Sequence, residues 1–148
     1  MLKSFKRMLC APQAEMPANE RHHLQLAVAV LLHEARRADY AEGGKESAVG
    51  EEALADLFAL ERPAARALLA QGRERAGQLT SFHAPVTAIK RAFPVDERIR
   101  LVEHLWRVAF ADGDLSYYED HYVRKIAHLL YVPNTQSMLA RNRARGVS

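Results

Sequence analysis

The sequence predicts an all-α fold in a single domain. Apolar residues recur three and four positions apart along most of the 148 residues, and no β-branched alternating run of strand length interrupts them. Prolines and glycines punctuate the pattern at helix-length intervals. Asn19 is placed to cap a first helix running to about Asp39. Its stretch LQLAVAVLLHEA is apolar nearly all round, the mark of a central helix surrounded by others. A second helix covers roughly Lys45 to Phe58. A third has Pro63 in its first turn and reaches about Gln78, and a shorter one spans about Phe82 to Phe93. After Pro94 the residues Ile99, Val102, Leu105, Trp106 and Ala109 form a stripe at helical spacing that ends at Gly113, read as the residue after the helix C-cap. Trp106 on that stripe is expected in the core. The next helix shows Tyr122, Ile126, Leu129 and Leu130 on one face. Pro133 closes it, and NTQSMLARNRAR forms a last short helix leading into a basic tail.

Composition narrows the function classes. The longest apolar run, LAVAVLL at 26–32, is far too short to span a bilayer, and the basic MLKSFKRMLC is followed by no apolar segment of a secretory signal. A cytoplasmic protein is expected. Cys10 is alone, which leaves no internal disulfide or cysteine metal knuckle and suits a reducing compartment. The formal net charge of +3 is carried by the ends. Lys3, Lys6 and Arg7 at one end and Arg141, Arg143 and Arg145 at the other lack acidic neighbours, whereas the body between them carries 18 acidic against 15 basic side chains. Residues 39–61 hold seven carboxylates against Lys45 alone. Such surfaces repel phosphates, so nucleic acid is not an expected partner. The ends are expected to be peripheral, with residues 1–18 and 144–148 flanking a domain over 19–143.

A shift of 73 residues lays the first helix pair on the later one, with ADYAEGGKE over ADGDLSYYE. Asp39 then matches Asp112, Glu46 matches Glu119, Leu32 matches Leu105 and Leu57 matches Leu130. Each unit is a helix, a loop opening Ala-Asp, an acidic residue seven positions on, and a second helix. Two such hairpins can bury their apolar faces against each other about a pseudo-twofold axis.

The segment RLVEHLWRVAFADGDLSYYEDHYVRKIAHLLYV, preceded by VDERI, resembles the second half of the TerB-like tellurite-resistance family. That family shows a Leu-Trp-x-Val-Ala-x-Ala-Asp-Gly run, an acidic residue a few positions on, and a leucine-rich helix. The first half resembles it more loosely through AVAVLLHEARRADY, and departs from it at Tyr40 and in EGGKESAVGEE. The resemblance extends over about residues 20–143. It implies an all-helical fold, a link to tellurite or general stress response with membrane-associated complexes, divalent-metal binding by acidic residues, and no defined catalytic activity.

The loop DGDLS admits two chemical readings. Asp112, Asp114 and Ser116 occupy positions one, three and five, the spacing with which a calcium loop begins, and Glu119 can supply a late ligand. Position six is Tyr117 where a turning glycine is needed, and position twelve is Val123 where a bidentate Glu is needed. A calcium, magnesium or manganese ion held here, with help from Asp39 and Glu46, would be weakly bound. Alternatively SYYE is only a capping box, with Ser116 accepting from the Glu119 amide and Glu119 reaching back. His121 and His128 lie seven apart, outside the usual zinc spacing, and read as solvated. EGGKES lacks the leading glycine of a phosphate loop, and no nucleophile has an evident base.

The sequence therefore reads as a non-enzymatic interaction module with an acidic surface able to bind a divalent cation weakly. The alternative is a metal-independent adaptor that turns the same face to a basic protein. A third reading makes Leu2, Phe5 and Leu9, with Lys3, Lys6 and Arg7, a short helix lying on the inner face of a membrane.

Overall fold

Helix starts in this chain follow its prolines. The computed structural model describes residues 15–35, 45–111, 113 and 115–146, the side chains of residues 45–47 excepted. Among them run seven helices and no strand: α1 (Ala18–Glu34), α2 (Lys45–Phe58), α3 (Arg62–Ala76), α4 (His83–Ala92), α5 (Val95–Ala109), α6 (Tyr117–Leu129) and α7 (Asn134–Ala144). Pro17, Pro94 and Pro133 stand at the N-caps of α1, α5 and α7, and Pro63 lies in the first turn of α3. Proline lacks an N–H and fixes φ near the helical value, which suits the turn where amides have no intrahelical acceptor. Asn19 is consequently not the cap. The Pro17 carbonyl already accepts the Arg21 amide at 2.9 Å, so the helix begins before Asn19 can act. No described helix is long and apolar enough to cross a membrane.

The all-round apolar α1 is the central element, packing on α2, α3, α4 and α5, with Leu24, Val28, Ala29, Leu31 and Leu32 buried. Its approach to α3 is close because Gly72 has no side chain. A Cβ there would stand 2.5 Å from the Ala29 Cβ. The second hub is α5, which packs on α2, α6 and α7. Trp106 is fully buried on it, in one cluster with Leu32, Leu105 and Ile126. Phe110 stacks on the indole with ring centroids 6.2 Å apart, and the Arg141 guanidinium of α7 lies 5.5 Å over it.

Three further expectations are corrected. The helix α5 ends at Ala109, and the Ala111 amide turns to the Val108 carbonyl at 3.1 Å. Gly113, at φ 94°, therefore lies beyond the C-cap turn and not directly after the cap. Leu129 is exposed, because it sits roughly a quarter-turn from the centre of the α6 stripe, which Val123 and Ala127 complete. The C-terminal cations do have acidic partners, brought near by folding. Arg141 meets Asp120 at 3.6 Å and Arg143 meets Glu103 at 2.7 Å.

The turns after α2 and α6 are alike. Ala59 and Tyr131 adopt φ 55° and 58°, and the following amides of Leu60 and Val132 reach back to Ala55 and Ala127 at 3.1 and 3.0 Å. This is the glycine-type helix ending built on residues that have side chains. The two turns stand one residue closer than the alignment of the Ala-Asp loops. Arg98 ties the second turn down, its Nε donating to the Phe93 carbonyl and its Nη1 to the Leu130 carbonyl, so one guanidinium serves the ends of two helices.

Candidate functional site

Ser116 and Glu119 form the reciprocal box that their spacing predicts. Ser116 Oγ accepts the Glu119 amide at 3.1 Å, and Glu119 Oε1 accepts the Ser116 amide at 3.0 Å. Glu119 is fully buried. Ser116 Oγ and Glu119 Oε1 are thus engaged by backbone at the mouth of α6, where a carboxylate also meets the positive end of the helix. Asp39, Asp112 and Asp114 lie outside the described residues. Glu46 falls in the first turn of α2 with its side chain likewise outside them. Among the described residues no group of three or more His, Cys, Asp or Glu side chains is assembled to hold a metal.

The described anchors of the two Ala-Asp loops meet. Tyr122 on α6 donates its hydroxyl to the Leu31 carbonyl of α1 at 2.9 Å, near the point where α1 runs out into the first loop. That carbonyl also accepts the Ala35 amide at 3.2 Å, so both its lone pairs are used. Phe82 packs edge-on against Tyr122 with centroids 5.7 Å apart. Glu34, at the last turn of α1, is 3% exposed. Burial pushes the Tyr122 phenol well above its ordinary pKa, and the nearby charge of Glu34 and the neighbouring Tyr118 push it the same way. Sequence reasoning passed over Glu34. The signal was present, since a helix buried all round leaves no solvated position for the carboxylate in LLHEA.

A second polar group was also missed. Asp56 of α2 accepts from His104 Nε2 of α5 at 2.8 Å, and the Arg100 guanidinium closes on the same Oδ2 atom. The His104 hydrogen bond and the Arg100 charge hold the Asp56 carboxyl far below the usual carboxylate range, against the opposing effect of partial burial. His104 belongs to the α5 stripe with Leu101, Leu105 and Val108, a spacing that marks it as inward-facing. It carries no adjacent nucleophile and clamps α2 to α5. His121 and His128 are exposed, as expected, and His121 stacks on Tyr117 at 6.1 Å. Tyr117 and Tyr131 are largely solvent-facing.

The sequence profile of the family described as tellurite resistance protein TerB matches residues 25–142. No curated protein matches the chain. The crystal structure of a protein of unknown function from Porphyromonas gingivalis W83 superposes with a TM-score of 0.60. It covers 84% of this chain and 89% of its own, at 18% identity, a likeness of fold alone.

Proposed function

Since the chain belongs to the tellurite resistance protein TerB family, we propose that it is a non-enzymatic interaction module of a stress- or tellurite-response system. In this reading it presents an acidic surface around its two Ala-Asp loops to a basic protein partner, and that surface takes up a divalent cation weakly. The observation that carries the reading is the Tyr122 bond to Leu31, which joins the last turn of α1 to the first half of α6 and so favours both loops leaving the bundle together. Asp39, Asp112, Asp114 and Glu46 would then repel one another at neutral pH, and a calcium, magnesium or manganese ion would relieve that repulsion. Ser116 and Glu119 would fix the loop's exit, since Ser116 Oγ and Glu119 Oε1 are engaged by backbone.

The capping box favours the metal-independent adaptor as the second reading, because it leaves a hard cation short of the six or more oxygens it seeks. Isothermal titration of the native protein and of Asp112→Asn with the three cations separates the two. Asn keeps the turn and removes the charge. Binding tighter than about 1 mM that Asp112→Asn weakens supports the cation. Weaker binding, or equal binding by both proteins, leaves the adaptor. Residues 1–10 would add a peripheral contact with an anionic membrane, and vesicle co-sedimentation with and without them tests it.

A further inference from the structure

A basic stretch follows the acidic segment of residues 39–61. Residues 62–92, which make up α3, α4 and their link, carry six Lys and Arg side chains against Glu74 alone. Arg62 and Arg66, in the first half of α3, pair with Glu51 of α2, and Arg75 stands in the last turn of the same helix. A shallow, half-open cleft lies between α1, the end of α3 and the start of α4. Ala27, Val30 and Pro85 form a buried apolar floor, and Leu26 and Leu79 are half-buried walls. At the rim stand two exposed bases, Arg75 and His23. Among the described residues neither has an ion-pair partner. The first turn of α4 forms part of the wall, has no side-chain cap, and contributes the positive end of its helix.

We propose that this cleft is a docking seat for an acidic peptide segment of a partner protein. The segment inserts one leucine- or phenylalanine-sized side chain onto the Ala27 and Val30 floor and sets a flanking carboxylate against Arg75. Apolar walls under a basic rim select an occupant that is apolar at its tip and acidic beside it. The chain's own N-terminal segment fits poorly, because Lys3, Lys6 and Arg7 would face Arg75 with like charge. The seat lies toward the start of α1, at the other end of that helix from the Ala-Asp loop, and stands apart from the acidic surface proposed above.

The test uses the ¹⁵N-labelled full chain titrated with the acetylated, amidated peptide Glu-Glu-Leu-Phe-Glu-Glu at low salt. Amide shifts should concentrate at Leu26, Ala27, Val30, Arg75 and Leu79. Arg75→Glu should weaken binding about tenfold, as should Ala84→Glu, which puts a carboxylate at the mouth in a first turn that tolerates acids. A peptide with Ala-Ala in place of Leu-Phe should lose about tenfold as well, because it lacks the anchor. No saturable shift up to about 2 mM would overturn the proposal. So would equal binding of both peptides, or binding untouched by the two variants. If unlabelled protein itself produces the same shifts at lower concentration than the peptide, the occupant is a second copy and the proposal also fails.

Discussion

Trp106 concentrates the packing problem of this fold in one side chain. It is fully buried, stacked on Phe110 and covered by Arg141, yet its indole Nε1 is buried without a hydrogen-bond partner among the described residues. Truncation to alanine should cost about 3 to 5 kcal/mol through the cavity left behind. Trp106→Phe should cost markedly less, because the lost ring area is partly offset by removing an unsatisfied donor worth about 1–3 kcal/mol. Urea unfolding of the two variants compares them, and an equal loss for both would mean that the N–H is satisfied in solution. Asp56 supplies a prediction in pH. Its folded pKa is depressed, first by the His104 hydrogen bond and then by Arg100, so its contribution is present above the unfolded carboxylate pKa of about 3.9 and is lost as pH falls below it. Asp56→Asn should therefore lower stability at pH 7 by about 1 kcal/mol, a figure kept small because the side chain is 35% exposed. The gap between the two proteins should begin to narrow as pH falls below about 4 and close only well below pH 3, where the depressed folded carboxyl takes up its proton. A gap that does not narrow over that range would assign the loss to packing and not to charge.

Between helices, two backbone features set the design, and they respond to mutation in opposite directions. Gly72 allows α3 to lie against the Ala29 backbone, so Gly72→Ala must push the helices apart, and a loss of at least 2 kcal/mol is expected despite alanine's better helix propensity. Ala59 instead holds a left-handed conformation that costs a residue with a Cβ about 1 kcal/mol. Its exposed side chain leaves little to lose, so Ala59→Gly should raise the melting temperature by about 2–4 °C. The helices themselves were legible in the sequence. Lys45 to Phe58 came out at its observed bounds, and the Ser116 and Glu119 box followed from spacing alone, because both depend on interactions within one turn of helix. The start of α1 was misread because Asn19 and Pro17 both satisfy local rules, and the backbone follows the earlier one. Asp56 with His104, Arg98 with Leu130 and Glu34 beside Tyr122 were not legible as pairs. Each joins residues far apart in the chain, so only the packed helices reveal them.

On the scale of the molecule, charge and chain ends must be judged after folding. Averaged along the body, the sequence reads as mildly acidic, whereas the α3–α4 stretch is locally basic and only its first half is paired with the acidic α2, through Arg62 and Arg66 on Glu51. The C-terminal arginines likewise look like a disposable tail. In the folded chain Arg141 spans Trp106, Phe110 and Asp120, and Arg143 bonds to Glu103, so α7 is fastened to α5 through Ala144. Truncation should therefore separate the two ends. Removing residues 1–10 is expected to leave the melting curve nearly unchanged, as for most chain termini. Ending the chain after Arg145 should do the same. Ending it after Ala140 strips the guanidinium from the indole face and removes two ion pairs, one of them to the half-buried Asp120, and should cost about 2 kcal/mol. Arg141→Ala in the full chain isolates the cation–π share of that loss, and Arg141→Lys should recover only part of it, since an ammonium lacks the planar face that stacks on Trp106 and Phe110. Thermal unfolding of the five variants decides the matter. Should the chain ending at Ala140 melt with the native protein, α7 contributes solubility and not stability. Should the chain lacking residues 1–10 melt several degrees early, Leu2, Phe5 and Leu9 are packed on the body, and the membrane-contact reading of that segment loses its free apolar face.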